Sequence, residues 1–399
     1  MLPDASIRRI FILRPDHLGD LVLFSGALRH IRERWPAAHI TLCVRSYGLE
    51  LFSQCPYVDR LVSFEWLRQI LLDGERLPLL PKVRGSNRLS DWFRRGTCGL
   101  LGFPYRCDLA LLPVLAPCAE YHRLLEQIPS RIRLGICGNL TNQTSIEDQG
   151  SRASYASQMD ASTFPWNLPE IEATRRFLSF AGINVNETDL WPEFWTTTKD
   201  QSGAEEKISR TTNRITLGIA PGVASIRGKS LPPEWFARAI RDSGMDDLRI
   251  VLLGSKADAS TCAEVAGVLK PLACVESVLN LAGTTTVGEL IECVRNCDAV
   301  LSQETATLHV ANALRKPVLG IVGGGHFGRF YPWGNLPTER AVYKKMDCYG
   351  CNWHCRYETI RCIQEIPAEA GARELKELSQ MLPALNQSGR ASPSCPIQP

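Results

Sequence analysis

The sequence predicts an α/β protein of two Rossmann-like, doubly wound lobes. Three observations lead there. A chain of 399 residues is too long for one core and suits two domains of roughly 150–200 residues each. Short apolar runs alternate with amphipathic stretches, the βαβ rhythm of a parallel sheet. That rhythm stops after about residue 190 and restarts near residue 214.

In the first lobe, placed at 1–195, residues 10–13 form an apolar run. Leu21, Leu28 and Ile31 mark one helical face, and residues 39–44 form a second run. Strand, helix and strand joined by short turns read as a βαβ unit. Further strands are expected at 60–64, 108–113 and 131–136, and a helix at 171–181. The stretch 66–106 mixes Leu, Trp and Phe with several arginines and reads as an insertion; 139–161, rich in Ser, Thr, Asn and Gln, reads as a mobile loop.

Residues 196–213 have the composition of a linker. In the second lobe, 214–384, strands are expected at 214–220, 249–254, 278–282, 298–302 and 317–322. Helices are expected at 233–241, 258–269, 287–297 and 305–315. The tail 385–399 is expected to be disordered.

Apolar residues make up 44% and charged residues 22%, an ordinary globular balance. The 45 basic and 42 acidic side chains leave a formal charge of +3, too small to predict a nucleic acid polymer as partner. The N-terminal apolar run ends at Arg14, too short for a signal-peptide core. No run approaches the roughly 20 apolar residues of a membrane span. Both point to a cytoplasmic address, and the fifteen scattered cysteines are expected to be reduced thiols.

Chemistry-bearing residues gather at three strand-to-helix junctions, where open parallel sheets bind ligands. After the first strand comes Arg14-Pro-Asp-His-Leu-Gly19-Asp20. Gly19 allows a tight turn that would aim Asp20 at a ligand, although an Asp there also reads as a helix cap. After the strand at 214–220 comes a segment holding Pro221, Gly222, Arg227, Lys229 and Pro232. Small residues with cations can bring backbone N–H groups and positive charge to a diphosphate, with Lys229 the better candidate; the bland reading is a solvated loop charge.

The third junction is Ser302-Gln-Glu304-Thr305-Ala306-Thr307-Leu-His309. The helix start at Thr305 to Thr307 suits an anionic leaving group, and Glu304 could accept hydrogen bonds from sugar hydroxyls. His309 could orient the loop, touch a phosphate, or be an ordinary core histidine. The run from Gly323 to Gly325 before His326 reads as a flexible loop.

Together these segments resemble glycosyltransferase family 9, the heptosyltransferase family, from residue 10 to about 366. Arg14, Gly19 and Asp20 match its opening Arg-x4-Gly-Asp motif, and Cys55-Pro-Tyr-Val-Asp59 is similar to its Asn-Pro-Tyr-Val-Asp turn. Pro221-Gly222 with Lys229 and Pro232, the turn from Gly254 to Asp258, and Glu304 to His309 resemble further motifs in the same order. Glu304, Ala306, Asp258 and Ser230-Leu231 stand where the family commonly has Asp, Gly, Glu and Arg-Trp.

The resemblance implies a GT-B architecture, its two lobes facing a central cleft, and inverting, metal-independent transfer from a nucleotide diphosphate sugar, with no cofactor required. ADP-heptose is the leading donor. The implied acceptor is a glycolipid or saccharide such as a lipopolysaccharide-core precursor, met at the cytoplasmic face of the inner membrane through transient surface contact. Asp20 takes the role of base, with Lys229 also catalytic. Donor binding falls to Gly19, Gly222, Lys229, Asp258, Glu304, Thr305, Ala306, Thr307 and His309, with Asp258 on the nucleotide ribose. Arg94 and Arg95 in the Arg-rich stretch 84–106 are assigned to the acceptor's phosphates. Two other readings stay open: a nucleotide-sugar epimerase or isomerase on the same architecture, and a non-catalytic carbohydrate-binding relative.

Cys348, Cys351, Cys355 and Cys362 lie within the segment 348–362, and four thiolates so close in sequence can make a structural zinc site. Their spacing matches no standard finger pattern. The reading adopted is a metal-free structural cluster at the rim of the second lobe, touching neither donor nor acceptor.

Overall fold

A computed structural model describes residues 7–72, 107–208, 214–223, 228–334 and 336–388. The chain divides into two units: Met1–Phe164 with Ile171–Pro192, and Pro165–Glu170 with Glu193–Pro399. Each unit holds one six-stranded parallel sheet. Of the stretch read as an insertion, 66–72 continue the helix Phe64–Leu71 and its end, while 73–106 with Arg94 and Arg95 lie outside the described residues; of the tail, 385–388 end the helix Ala368–Ser388 and the rest lies outside them.

The first sheet contains β1 (Arg9–Leu13), β2 (His39–Val44), β3 (Arg60–Ser63), β4 (Cys107–Leu111), β5 (Ser130–Cys137) and β6 (Ser157–Asp160), ordered β3-β2-β1-β4-β5-β6. The second contains β7 (Ile215–Ala220), β8 (Leu248–Leu252), β9 (Val275–Asn280), β10 (Ala299–Gln303), β11 (Val318–Ile321) and β12 (Glu339–Val342), ordered β12-β11-β10-β7-β8-β9. Counted within its own unit, each sheet runs 3-2-1-4-5-6, the Rossmann order. The chain reverses direction across the sheet between β1 and β4, and again between β7 and β10. In open parallel sheets such a reversal is where the loops at the strands' carboxyl ends part to admit a ligand.

Central strands are buried on both faces, which is why they read as unbroken apolar runs. Ile10 pairs with Ile40 on one side and Leu109 on the other, and all three are essentially inaccessible. In the second unit, the helix Pro233–Asp242 starts with proline inside its first turn and turns Trp235, Phe236, Ala239 and Ile240 inward. Trp235 donates its indole N–H to the Ile366 carbonyl (2.9 Å), which ties this helix to the chain entering the helix Ala368–Ser388.

Two polar stretches are more ordered than their composition predicts. Within 139–161, the helix Ser145–Arg152 is closed by a capping box in which Thr144 and Glu147 exchange hydrogen bonds, and β6 then joins the edge of the sheet. Buried Asp148 is enclosed by the Gly138 amide, Gln143 and Arg152. Within 196–213, Thr197 and Asp200 cap the helix Thr198–Lys207 in the same way. Lys207 pairs with Glu289 (2.9 Å), and Thr196 donates to Glu292 (2.6 Å), both on the helix Val287–Asn296. Ser, Thr, Asp and Glu, read as loop formers, act here as helix starters.

Candidate active site

The three junctions predicted from sequence fall at the two switch points. In the first unit, Arg14 follows β1 and is 1% exposed. Its Nε lies 2.8 Å from Asp16 Oδ2, Nη1 donates to the Pro113 carbonyl beyond β4, and the guanidinium sits 5.0 Å from the Phe24 ring centroid. Arg14 therefore bridges the two strand ends that flank the switch point. Arg45, at the end of β2, donates to the Pro15 carbonyl (2.7 Å), and the Tyr47 hydroxyl donates to the Asp16 carbonyl (3.0 Å).

The clamped turn delivers Asp20 into the first turn of the helix Leu18–Phe24. The N-cap position belongs to His17, with no side-chain cap bond there, so Asp20 is not the capping residue of the bland reading. Asp20 is half-buried beside Tyr47. Burial raises the Tyr47 phenol; Arg45 opposes this, and Asp20 and Asp16 add to it. Tyr47 thus stays protonated, and its one O–H proton is held by the Asp16 carbonyl beside that carboxylate.

The Cys55–Asp59 turn has a structural use. Asp59 accepts from the Ile40 amide (2.7 Å) and from Arg32 (2.5 Å), fastening β2 to the helix Ala27–Arg34.

In the second unit, Gln303 at the end of β10 donates to the Pro221 carbonyl beyond β7, spanning that switch point as Arg14 spans the first. Gly222 is needed for close approach: a Cβ there would fall 2.1 Å from Asp258 Oδ1. Asp258 Oδ2 accepts from the Ser255 amide (2.8 Å) and hydroxyl (2.7 Å), capping the short turn Lys256–Asp258. Gly228, at φ +88°, makes the left-handed turn before Lys229, and its carbonyl accepts from Gln364 (3.1 Å).

Burial lowers the Lys229 ammonium to about 8, while Glu304, Cys362 and Cys351 pull it back up. Glu304 is half-buried as a residue, but its Oε2 is enclosed and has no hydrogen-bond partner among the described residues. Burial raises its carboxyl, and Lys229 and Arg329 act in the opposite direction. Enclosed polar atoms are paired in most proteins, so an oxygen with no partner among the described residues, beside a partly desolvated lysine, makes this a candidate site for a polar ligand.

Thr305 begins the helix Ala306–Ala313 without a side-chain cap bond; its hydroxyl lies 3.2 Å from that of Ser302. Thr307 and His309 are buried. His309 stacks on Trp333, and burial lowers its imidazole to about 4. It is neutral near pH 7 and offers no full charge to a phosphate.

Two expectations about the last third of the chain change. Residues 323–325 are buried rather than a loose loop, because the Cys-rich segment lies against them. A Cβ at Gly324 would sit 2.2 Å from Tyr349, and one at Gly325 would sit 2.4 Å from Trp353. That segment follows β12, a strand missed from sequence, and carries Trp353 onto Lys229, with Nζ 3.4 Å from the ring centroid. It therefore touches a residue assigned to the donor. Among the described residues, no three His, Cys, Asp or Glu side chains gather to hold an ion. The Cys362 sulfur accepts from the Gly324 amide (3.4 Å), and Cys355 donates weakly to the Thr359 carbonyl (3.5 Å).

Sequence reasoning also passed over Arg45, Tyr47, Arg329 and Trp353. Arg45 and Tyr47 follow β2 directly, so the strand-end rule could have found them. Arg329, paired with buried Glu170 at 3.2 Å, and Trp353 carry no such signal.

The model of glycosyltransferase family 9 (heptosyltransferase) matches residues 144–354. The chain belongs to this family. It is a glycosyltransferase that takes its sugar from a nucleotide sugar. Lipopolysaccharide heptosyltransferase 2 of Salmonella typhimurium is 21% identical over 79% of this chain and 82% of its own length. Among solved structures, a family 9 glycosyl transferase from Veillonella parvula aligns with TM-score 0.64 at 17% identity, over 96% of this chain and 98% of that one. The Escherichia coli ADP-heptose lps heptosyltransferase II aligns with TM-score 0.63 at 19% identity, over 95% and 99%. These likenesses establish the GT-B fold class. Among the described residues, no helix is long and apolar enough to cross a membrane.

Proposed function

We propose that this family 9 enzyme transfers heptose from ADP-heptose to a lipopolysaccharide-core acceptor, with inversion and without a catalytic metal, at the cytoplasmic face of the inner membrane. The observation that carries the reading is the meeting of Lys229, the orphaned Glu304 oxygen and the start of the helix Ala306–Ala313 at one switch point. The ammonium and the helix N–H groups suit a diphosphate, and Glu304 suits a sugar hydroxyl. The relatives named above supply the choice of heptose and of the lipopolysaccharide acceptor.

The chemistry is a single displacement. An acceptor hydroxyl passes its proton to Asp20 as its oxygen bonds to the anomeric carbon. The bond from that carbon to the diphosphate breaks on the opposite face, and its electron pair leaves with the nucleoside diphosphate. Negative charge grows on the leaving oxygen, where Lys229 and the helix dipole supply fixed positive potential. Glu304, Gly222 and Asp258 take the donor's sugar and nucleotide; Arg94 and Arg95 take phosphates of the acceptor.

Mass spectrometry of products from a panel of nucleotide sugars, offered with a heptose-deficient core glycolipid, tests this. The expected result is a heptosylated lipid formed from ADP-heptose with chelator present, its new linkage inverted by NMR. Conversion of the donor without acceptor, and no glycosylated lipid from any donor, would overturn the reading in favour of an epimerase or hydrolase.

A further inference from the structure

Trp353 is held more firmly than a half-buried side chain in a polar segment requires. Its indole N–H donates to His326 Nδ1 (3.2 Å), and His326 Nε2 bonds Asn352 Oδ1. His326 thereby accepts on Nδ1 and carries its proton on Nε2, a tautomer set by the two partners. Burial lowers this imidazole to about 4, so the arrangement persists at neutral pH.

The backbone is constrained as well. Asn352 and Trp353 both adopt left-handed conformations, at φ +47° and +63°. Bulky residues keep that conformation only when their surroundings impose it. Here the Gly350 amide bonds the Gly324 carbonyl (2.8 Å), and the Asn352 amide bonds that of Gly325 (3.3 Å). The glycines leave room for the ring: a Cβ at Gly323 or Gly325 would lie 2.5 or 2.4 Å from its carbons. The outcome of all these constraints is an indole face against the Lys229 ammonium, at 3.4 Å well inside the cation–π range of about 6 Å.

We propose that Trp353 is a positioning residue for Lys229, its indole face seating the ammonium at the end of β7 for the donor's diphosphate. This rests on the diphosphate role proposed for Lys229. A cation desolvated beside Glu304 would otherwise swing toward that carboxylate or toward water. An aromatic face keeps it charged and in place without neutralising it, so its attraction for an anion is retained. The Cys-rich segment is then the arm that carries the indole to the switch point.

The test measures affinity of the full-length enzyme for whichever of ADP, UDP and GDP binds most tightly. Trp353→Leu removes the π face and is expected to weaken binding about 3–10-fold, within the range of a partly desolvated cation–π contact. Trp353→Phe should recover most of the loss. In a Lys229→Met background, Trp353→Leu should have no further effect. Site-specific replacement of Trp353 by tryptophans of increasing fluorine content preserves shape and drains the π face. Affinity should fall stepwise with fluorination, a readout that survives even if the leucine variant does not fold.

No fluorination trend, or a full Trp353→Leu effect in the Lys229→Met background, would overturn the proposal and make Trp353 a packing residue only. Unchanged affinity in Lys229→Met alone would instead sink the diphosphate role of Lys229, and the present proposal with it. Weakened binding in Lys229→Met with none in folded Trp353→Leu would reject only the role of Trp353.

Discussion

Arg14 Nε lies 2.8 Å from Asp16 Oδ2, and the same guanidinium reaches the Pro113 carbonyl beyond β4. One buried side chain thus joins the loops on either side of the first switch point. Arg14→Met should destabilise the protein by about 3 kcal/mol, the scale of a buried ion pair broken on one side. Thermal unfolding should show a clear drop in midpoint. A midpoint within a degree of wild type would mean that the loops hold their course without the bridge.

Asp20 stands in the first turn of its helix without being the cap, so Asp20→Asn should leave the fold intact. Turnover is expected to fall roughly 100-fold or more while nucleotide affinity stays near wild type, as for loss of a general base. Steady-state rates with binding calorimetry decide it, and near-normal turnover would remove Asp20 from the mechanism.

Lys229→Ala should weaken nucleoside diphosphate binding and slow transfer. A pH signature accompanies this. Burial brings the free enzyme's Lys229 down to about 8, so its positive charge is lost as pH rises through that value. Affinity should be level just below pH 8 and decline above it, with the decline abolished in Lys229→Arg. The same shift makes the folded state bind fewer protons than the unfolded state between about pH 8 and 10.4. This group's contribution to stability therefore rises across that window. Flat affinity from pH 7 to 10 would reject the assignment.

The cysteines differ sharply in environment. Cys362 is 7% exposed and takes a hydrogen bond from the Gly324 amide, whereas Cys355 is exposed. Cys362→Ala should cost about 1–3 kcal/mol through lost packing and an orphaned amide; Cys355→Ala should stay within about 0.5 kcal/mol. Denaturant midpoints compare the two, and equal losses would point to a shared role for the thiols, such as a common ion. Metal analysis of protein purified without added metal, at about one equivalent per chain, would point the same way.

The sequence by itself determined the paired parallel sheets. Strands buried on both faces are mostly apolar, and such runs are visible in β1, β2, β7 and the first half of β10 without any structure. It also placed Asp20, Lys229 and Glu304 where strands give way to helices, because those junctions can be found by periodicity alone. β12 (Glu339–Val342) escaped because a four-residue edge strand of Glu, Arg, Ala and Val has no apolar run. The helix Thr198–Lys207 escaped because its signal is two capping residues in a polar stretch, and composition hides their spacing.

Only the tertiary structure decided what surrounds the candidate site. The contact of Trp353 with Lys229 joins residues 124 positions apart. It exists because β12 and the three glycines turn the Cys-rich segment back onto the end of β7. Arg14 and Pro113, 99 positions apart, meet across the first switch point for the same kind of reason. Local propensity acts over a few residues. The environment that desolvates a lysine or leaves a carboxylate oxygen without a partner among the described residues is made by segments of the second unit that meet only once its sheet has formed, and no local pattern records that meeting.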